Sequence, residues 1–264
     1  MLKLSNVCKT FNPGTINEKK ALDGIDLVIE DGEFVTVIGS NGAGKSTLLN
    51  AIAGTWPIDD GSIFIDDVDI TNLPEFKRAT YIGRVFQDPM MGTAADMWIE
   101  ENLALAQRRG SKRTMKGGIT NKERAEYKEL LKEFNLGLED RLSTKVGLLS
   151  GGQRQALTLV MATLKRPRLL LLDEHTAALD PKTAATVLSI TDDVVQKSKL
   201  TTFMVTHNMK DAIAHGDRLL MLNQGKIILD IKGEEKKKMT VEKLLNRFEK
   251  ASGQEFSSDT EILG

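Results

Sequence analysis

The apolar positions of the chain fall into short unbroken runs and into helical stripes. Phe34-Val35-Thr36-Val37-Ile38, Leu169-Leu170-Leu171-Leu172 and Thr202-Phe203-Met204-Val205-Thr206 are of strand length with almost no polar interruption, the pattern of strands buried on both faces. Such strands alternating with helical segments predict an α/β fold with a mainly parallel core sheet. The stretches Leu2 to Lys9, Leu22 to Glu30 and Ser62 to Ile65 have shorter turns between them and predict a smaller antiparallel β layer.

Between about Asp88 and Arg141 the pattern becomes helical. Thr120-Asn121-Lys122-Glu123 reads as a capping box, because the threonine hydroxyl can accept from the amide of Glu123 while that carboxylate reaches back. Tyr127, Leu130, Leu131 and Phe134 then share one face, and Asn135 with Gly137 supplies a stop. Asp180 followed by Pro181 reads as a helix start, with Val187, Leu188, Val194 and Val195 on the buried face. Val241, Leu244, Leu245 and Phe248 predict a last amphipathic helix packed on the domain. The basic stretch from Arg108 to Gly118 reads as an exposed loop, and a polar tail follows Ser252.

Composition narrows the picture. At roughly 100 to 200 residues per domain, 264 residues make one large domain or two modest ones. A net charge of -1 with 28% charged residues gives no broad positive field, so nucleic acid is not an expected partner. The single Cys8 can form no internal disulfide and reads as a small buried hydrophobe. The N-terminal residues carry no long apolar stretch of a signal peptide, and no run reaches about 18 apolar residues. A cytosolic location is expected, with any membrane role exercised through a partner.

Three motifs carry chemistry. The first buried strand runs into Gly39-Ser40-Asn41-Gly42-Ala43-Gly44-Lys45-Ser46-Thr47. Its glycines allow a tight loop with inward amides, feeding a helix N-terminus near Lys45 where partial positive charge collects. Polyphosphate is the expected ligand, with Lys45 as a point charge for the β and γ phosphates and the Ser46 hydroxyl placed to ligate Mg²⁺. Beyond the leucine run, Asp173 and Glu174 leave the sheet edge together. Phosphoryl transfer needs positioning and charge stabilisation, so Asp173 is assigned to Mg²⁺ through water and Glu174 to polarising the attacking water as base. Finally, in Leu149-Ser150-Gly151-Gly152-Gln153 the serine heads a helix running to about Leu164, and Gly151 with Gly152 leaves its first amides uncovered as a second anion-binding terminus.

With these motifs in this order, the chain from about Leu2 to Asp230 resembles the ATP-binding-cassette (ABC) family. The resemblance implies a P-loop NTPase ABC-cassette fold in one ATPase domain, residues 1–251. Within it lie a RecA-like core over about 1–87 and 165–230, an inserted helical subdomain over about 88–164 and a C-terminal helix over about 240–250, with a tail at 252–264. It implies that Gln87, in Val85-Phe86-Gln87-Asp88-Pro89, is the Q-loop glutamine that touches Mg²⁺ and the attacking water. His207, ending the strand from Thr202, matches the switch histidine that contacts the γ phosphate. Ser150, Gly151, Gly152 and Gln153 of one protomer would cover the ATP of a second copy in a head-to-tail pair. Asp180, in Ala177-Ala178-Leu179-Asp180, matches the D-loop that crosses that interface. Phe11 matches the aromatic position that stacks on adenine and equally fits a core phenylalanine, since Asn12 to Lys20 is longer than the commonest family spacing. His175 stands where many relatives have proline, for which a local loop change with intact chemistry is expected. His215, before Gly216, reads as a helix-terminal residue.

The function so implied is that of the ATP-hydrolysing energy-coupling subunit of a bacterial transporter, at the cytoplasmic face of the membrane. Two copies would dock under integral membrane permease subunits, with an extracellular substrate-binding protein as an indirect partner. Met90, Met91, Met97 and Trp98 are candidates for the docking groove, with core packing as their other use. The wording FNPGT, GRVFQDP, IEENLALA and DEHTAALDPKTA is similar to cassettes of uptake systems linked to aromatic amino acids. The alternative is a soluble ABC ATPase, as in iron-sulfur cluster assembly.

Overall fold

A computed structural model describes residues 1–111, 118–134 and 136–252; Asn135, residues 112–117 of the basic stretch and the tail 253–264 lie outside these. The chain opens with the antiparallel pair β1 (Leu2–Phe11) and β2 (Lys19–Ile29), then sends β3 (Phe34–Gly39) into a second sheet. Helix α1 (Lys45–Ala53) follows, and β4 (Asp60–Ile65) and β5 (Val68–Asp69) return to β1, giving a four-stranded antiparallel layer in the order β2-β1-β4-β5. A short helix α2 (Glu75–Arg78) leads into β6 (Ile82–Val85). Its Arg78 is buried, with Nη1 donating to the carbonyls of Ala51 (2.7 Å) and Ile52 (2.8 Å), so a cation satisfies the end of α1.

Three helices come next: α3 (Ile99–Gln107), α4 (Asn121–Lys132) and α5 (Gly151–Thr163). The predicted capping box is present at the start of α4: Thr120 Oγ1 accepts from Glu123 N at 3.2 Å, and Glu123 Oε2 accepts from Thr120 N at 2.7 Å. Tyr127 and Leu131 of α4 are buried with Ile99 and Leu103 of α3 and Leu157 and Val160 of α5. Arg124 makes a forked pair with the buried Glu100 at 2.7 and 3.1 Å, pinning α4 to α3.

The chain then re-enters the sheet through β7 (Leu169–Asp173), α6 (Pro181–Ser198), β8 (Thr202–Val205), α7 (Met209–Ala214), β9 (Arg218–Asn223) and β10 (Lys226–Lys232). The order is β10-β9-β3-β8-β7-β6, parallel except for the terminal β9-β10 hairpin. The leucine run shows how the layers form, because a strand turns alternate residues to opposite faces. Leu169 and Leu171 pack with Leu49 and Ile52 of α1, whereas Leu170 and Leu172 pack with Leu159 of α5 and Leu188 of α6. Each such buried leucine stabilises the fold by roughly 1.5–3 kcal/mol. The next odd residue, Asp173, therefore arrives on the α1 face. After a short helix α8 (Glu234–Lys237), α9 (Val241–Ser252) buries Leu244 and Phe248 against Ile38, Leu219 and Met221, as its apolar spacing predicts.

Three features differ from expectation. Strands β5, β6, β9 and β10 are additional to those predicted; β6 has only four residues and is broken by Gly83 and Arg84, so it carries no apolar run. Strand β1 runs two residues past the predicted stretch Leu2 to Lys9, so that Phe11 is its last residue. Cys8 is half-buried rather than buried, and its sulfur accepts from the Gly24 amide at 3.2 Å.

Candidate functional site

The glycine-rich loop sits at the C-terminal end of β3, and its residues 41–47 line a groove with Phe11, Lys19, Ala21 and Glu174. Gly44 caps α1 with φ 105, a backbone that L side chains rarely adopt, and a Cβ there would lie 2.5 Å from the Ala21 carbonyl. No side chain caps α1 and no acidic residue stands in its first turn. The free amides and helix dipole at this end face the groove, as a polyphosphate site requires. The Lys45 ammonium is buried and donates to the carbonyls of Gly39 (2.7 Å) and Ser40 (3.2 Å), and burial holds its pKa below 10.5 against the opposing pull of Glu174.

Asp173 and Glu174 meet this groove from β7. Glu174 adopts φ 43, uncommon for a residue with a side chain, while its amide continues the sheet by donating to Val205 O at 2.9 Å. That turn carries its carboxylate toward the end of β8, where His207 Nδ1 lies 3.4 Å from Glu174 Oε2. The contact lowers the pKa of Glu174 and raises that of His207, with burial opposing both shifts. Asp173 is different: burial raises its pKa, with Arg84 pulling the other way from 3.3 Å. Asp173 and Gln87 line a common crevice with Asn50, Arg84 and Phe86.

The structure thus brings Lys45, Ser46, Thr47, Glu174 and His207 together at one sheet edge, with Asp173 and Gln87 beside them. It leaves Ser150, Gly151, Gly152, Gln153 and Asp180 outside the groove around Lys45. Ser150 caps α5, accepting from Gln153 N at 3.3 Å while Gln153 Oε1 accepts from Ser150 N at 3.3 Å. Of the two glycines only Gly151 is exposed. Gly152 is buried where a Cβ would meet Thr183 Cγ2 at 2.2 Å, so close packing on α6 by itself requires glycine there. Asp180 is exposed and caps α6, accepting from Thr183 N at 3.1 Å. Gln155 of α5 donates to Phe86 O at 3.0 Å, tying this helix to the Gln87 loop. Phe11 stands at the groove with its ring edge-to-face against Trp56, centroids 5.1 Å apart.

His175 is fully buried beneath the site and contacts Thr191 Oγ1 of α6 at 3.1 Å; burial lowers its pKa from 6.5 to about 4. His215 ends α7 as expected, with Nδ1 2.7 Å from Asp192. Met90, Met91 and Trp98 are exposed and Met97 is half-buried. Among the described residues no helix is long and apolar enough to cross a membrane. Sequence reasoning passed over Arg84 and Lys19. The signal for Arg84 is a lone cation inside the apolar strand Ile82-Gly83-Arg84-Val85.

A phosphate-binding loop, an acidic pair at the next sheet edge and a separately capped helix with a serine-glycine start define an ATP-binding cassette. Residues 22–177 match the family model for the ABC transporter, and the chain belongs to that family. It is an ATP-hydrolysing, energy-coupling cassette of the kind that acts as a dimer. It is 48% identical to the tyrosine transport ATP-binding protein of Clostridioides difficile over 95% of this chain and 100% of that one. It is 35% identical to the energy-coupling factor transporter ATP-binding protein EcfA2 of Clostridium acetobutylicum, over 86% and 78% respectively. The dimeric post-hydrolysis structure of the cassette MJ0796 with ADP and Pi superposes with a TM-score of 0.75 at 31% identity, covering 88% of this chain and 98% of that one.

Proposed function

We propose that the chain powers uptake of an aromatic amino acid, tyrosine being the first candidate, from the cytoplasmic face of a bacterial membrane. Two copies would sit under permease subunits that receive substrate from an extracellular binding protein. The observation that carries the reading is the near end-to-end likeness to a tyrosine transport subunit. Exposed Met91 in the Gln87 crevice, with exposed Met90 and Trp98, would supply an apolar surface for the permease contact. In this reading residues 1–251 act as one ATPase unit, with 88–164 as its helical subdomain.

Within the cassette, Glu174 acts as the general base, held ionised and oriented by His207. Lys45 and the α1 amides bind the β and γ phosphates, and Phe11 stacks on adenine. Ser150, Gly151, Gly152 and Gln153 face the γ phosphate of the partner copy's ATP, with Asp180 at that interface. Mg²⁺ fits the donors on hand: the Ser46 hydroxyl, the Asp173 carboxylate and the exposed Gln87 carbonyl are all hard oxygens. When bound, the ion neutralises charge on the β and γ phosphates. Loss of ATP-dependent uptake of labelled tyrosine in a deletion strain, restored by the wild-type chain and not by Glu174→Gln, is the expected result. Unchanged uptake of tyrosine, phenylalanine and tryptophan would assign the cassette to other cargo.

A further inference from the structure

Arg84 occupies a position that the chemistry above leaves without a task. In β6 it lies opposite Leu171 of β7, so its side chain emerges on the α1 face that also receives Asp173. Its guanidinium is mostly buried and makes three different polar contacts. Nη2 reaches Asp173 Oδ2 at 3.3 Å and Asn50 Oδ1 at 2.9 Å, and Nη1 reaches Thr55 Oγ1 at 3.1 Å. Asn50 in turn donates from Nδ2 to the carbonyl of Ser46, one turn earlier in α1, at 2.8 Å. The guanidinium carbon also sits 4.5 Å from the centroid of the Phe86 ring, next to Gln87.

One side chain thereby touches every element assigned to Mg²⁺: Asp173 directly, Ser46 through Asn50, and Gln87 through the strand and ring that precede it. The arrangement is not the best salt bridge available to these groups. The contact to Asp173 is a single long one rather than a fork, and Nε is buried with no partner among the described residues. A purely structural arginine would be expected to satisfy its buried donors first.

We propose that Arg84 is a positioning residue for the metal-binding carboxylate: it fixes the orientation of Asp173 relative to Ser46 and couples that geometry to the Gln87 loop through Phe86. The inference rests on the assignment of Asp173 to Mg²⁺. Arg84 acts through Asp173: its guanidinium sets the rotamer of the carboxylate assigned to the ion.

The test is equilibrium binding of a fluorescent ATP analogue by the full chain, titrated with Mg²⁺, so that turnover is not the readout. Arg84→Gln is expected to raise the Mg²⁺ concentration for half-maximal enhancement about fivefold or more, while affinity measured without Mg²⁺ changes less than twofold. In an Asp173→Asn background the same substitution should add nothing, since its effect passes through that carboxylate. If Asp173→Asn alone leaves the Mg²⁺ dependence unchanged, the metal assignment is wrong and the role of Arg84 falls with it. If Asp173→Asn shifts the dependence and Arg84→Gln does not, the positioning role alone is refuted. Equal losses with and without Mg²⁺ would likewise refute it, by showing general disruption. Should Arg84→Gln fail to fold, Asn50→Ala, which removes one anchor and keeps the charge, is expected to shift the Mg²⁺ dependence in the same direction by about twofold, and no shift would count against the proposal.

Discussion

His207 Nδ1 and Glu174 Oε2 face each other at 3.4 Å across the gap between β8 and β7. The two arrive from different strands, and the left-handed turn at Glu174 (φ 43) is what aims the carboxylate at the imidazole. A base for water attack must stay ionised and point at one place. The imidazole serves both needs by stabilising the charged form and limiting the rotamers of the carboxylate.

Replacing Glu174 by Gln keeps the side-chain size but removes the proposed base. Turnover should fall roughly 10²–10⁴-fold, the usual contribution of a positioned proton acceptor, while ATP affinity stays close to wild type. Size-exclusion chromatography with ATP should then show a dimer that persists instead of opening. Phosphate release at the wild-type rate would mean another group accepts the proton.

The same pair sets a pH signature. Glu174 is held below its ordinary 4.5, first by the bond to His207, and His207 is held above 6.5, first by the bond to Glu174. The histidine's contribution is complete below 6.5 and lost as pH rises through its raised value. That of the glutamate is complete above 4.5 and lost as pH falls through its lowered one. The pair is therefore intact at least from 4.5 to 6.5. NMR titration should place the His207 midpoint above 6.5, and Glu174→Gln should bring it to 6.5 or lower, because burial is then the strongest remaining influence. A midpoint unmoved by the substitution would disconnect the two residues.

Most of the architecture was legible because burial on both sheet faces writes itself as apolar runs: β3, β7 and β8 lie within a residue or so of where those runs predict them. Caps were equally readable at Thr120, Ser150 and Asp180, each a side chain that satisfies an amide three residues on. What escaped depends on three-dimensional neighbours. Strand β6 is defined by pairing with β7 and not by its own composition, so nothing in the sequence places Arg84 beside Asp173; the register does. At Gly152 the packing that also demands glycine was hidden, because sequence does not reveal that Thr183 would strike a Cβ there. The effect of His175 was likewise hidden, since a buried imidazole needs a hydroxyl that only the docking of α6 supplies.

That histidine makes a separable stability prediction. Thr191 Oγ1 donates to Val187 O at 2.9 Å, so it accepts from a neutral His175 protonated at Nε2, 3.1 Å away. Burial first and then His215 lower the His175 pKa from 6.5 to about 4, with Asp192 opposing. Below 6.5 the unfolded chain takes up a proton that the native state refuses, so this contribution is full above 6.5 and is lost as pH falls toward 4. The loss amounts to about 2–3 kcal/mol between neutral pH and about 4.5. In urea unfolding, His175→Gln, which can still bond Thr191, should lose less stability over that range by about that amount. Equal acid sensitivity in both proteins would show that His175 is not the group responsible.

The separation of the two phosphate-facing helix ends leads to the last prediction. Lys45 and Ser150 head different helices, and none of the residues 150–153 lines the groove around Lys45; on the proposed reading a complete site takes its loop from one copy and its serine-glycine helix from the other. Lys45→Ala should weaken ATP binding at least tenfold, since it removes a point charge and leaves the Gly39 carbonyl without its 2.7 Å donor. Gly151→Asp is a useful complement: the residue is exposed, a carboxylate suits a helix N-terminus and preserves the fold, yet it repels phosphate at the same place. Each variant alone should be inactive. In a one-to-one mixture, half of randomly paired dimers are mixed, and each holds one intact composite site, so hydrolysis should recover to about a quarter of wild type. A mixture no more active than its components would rule out a site shared between two copies.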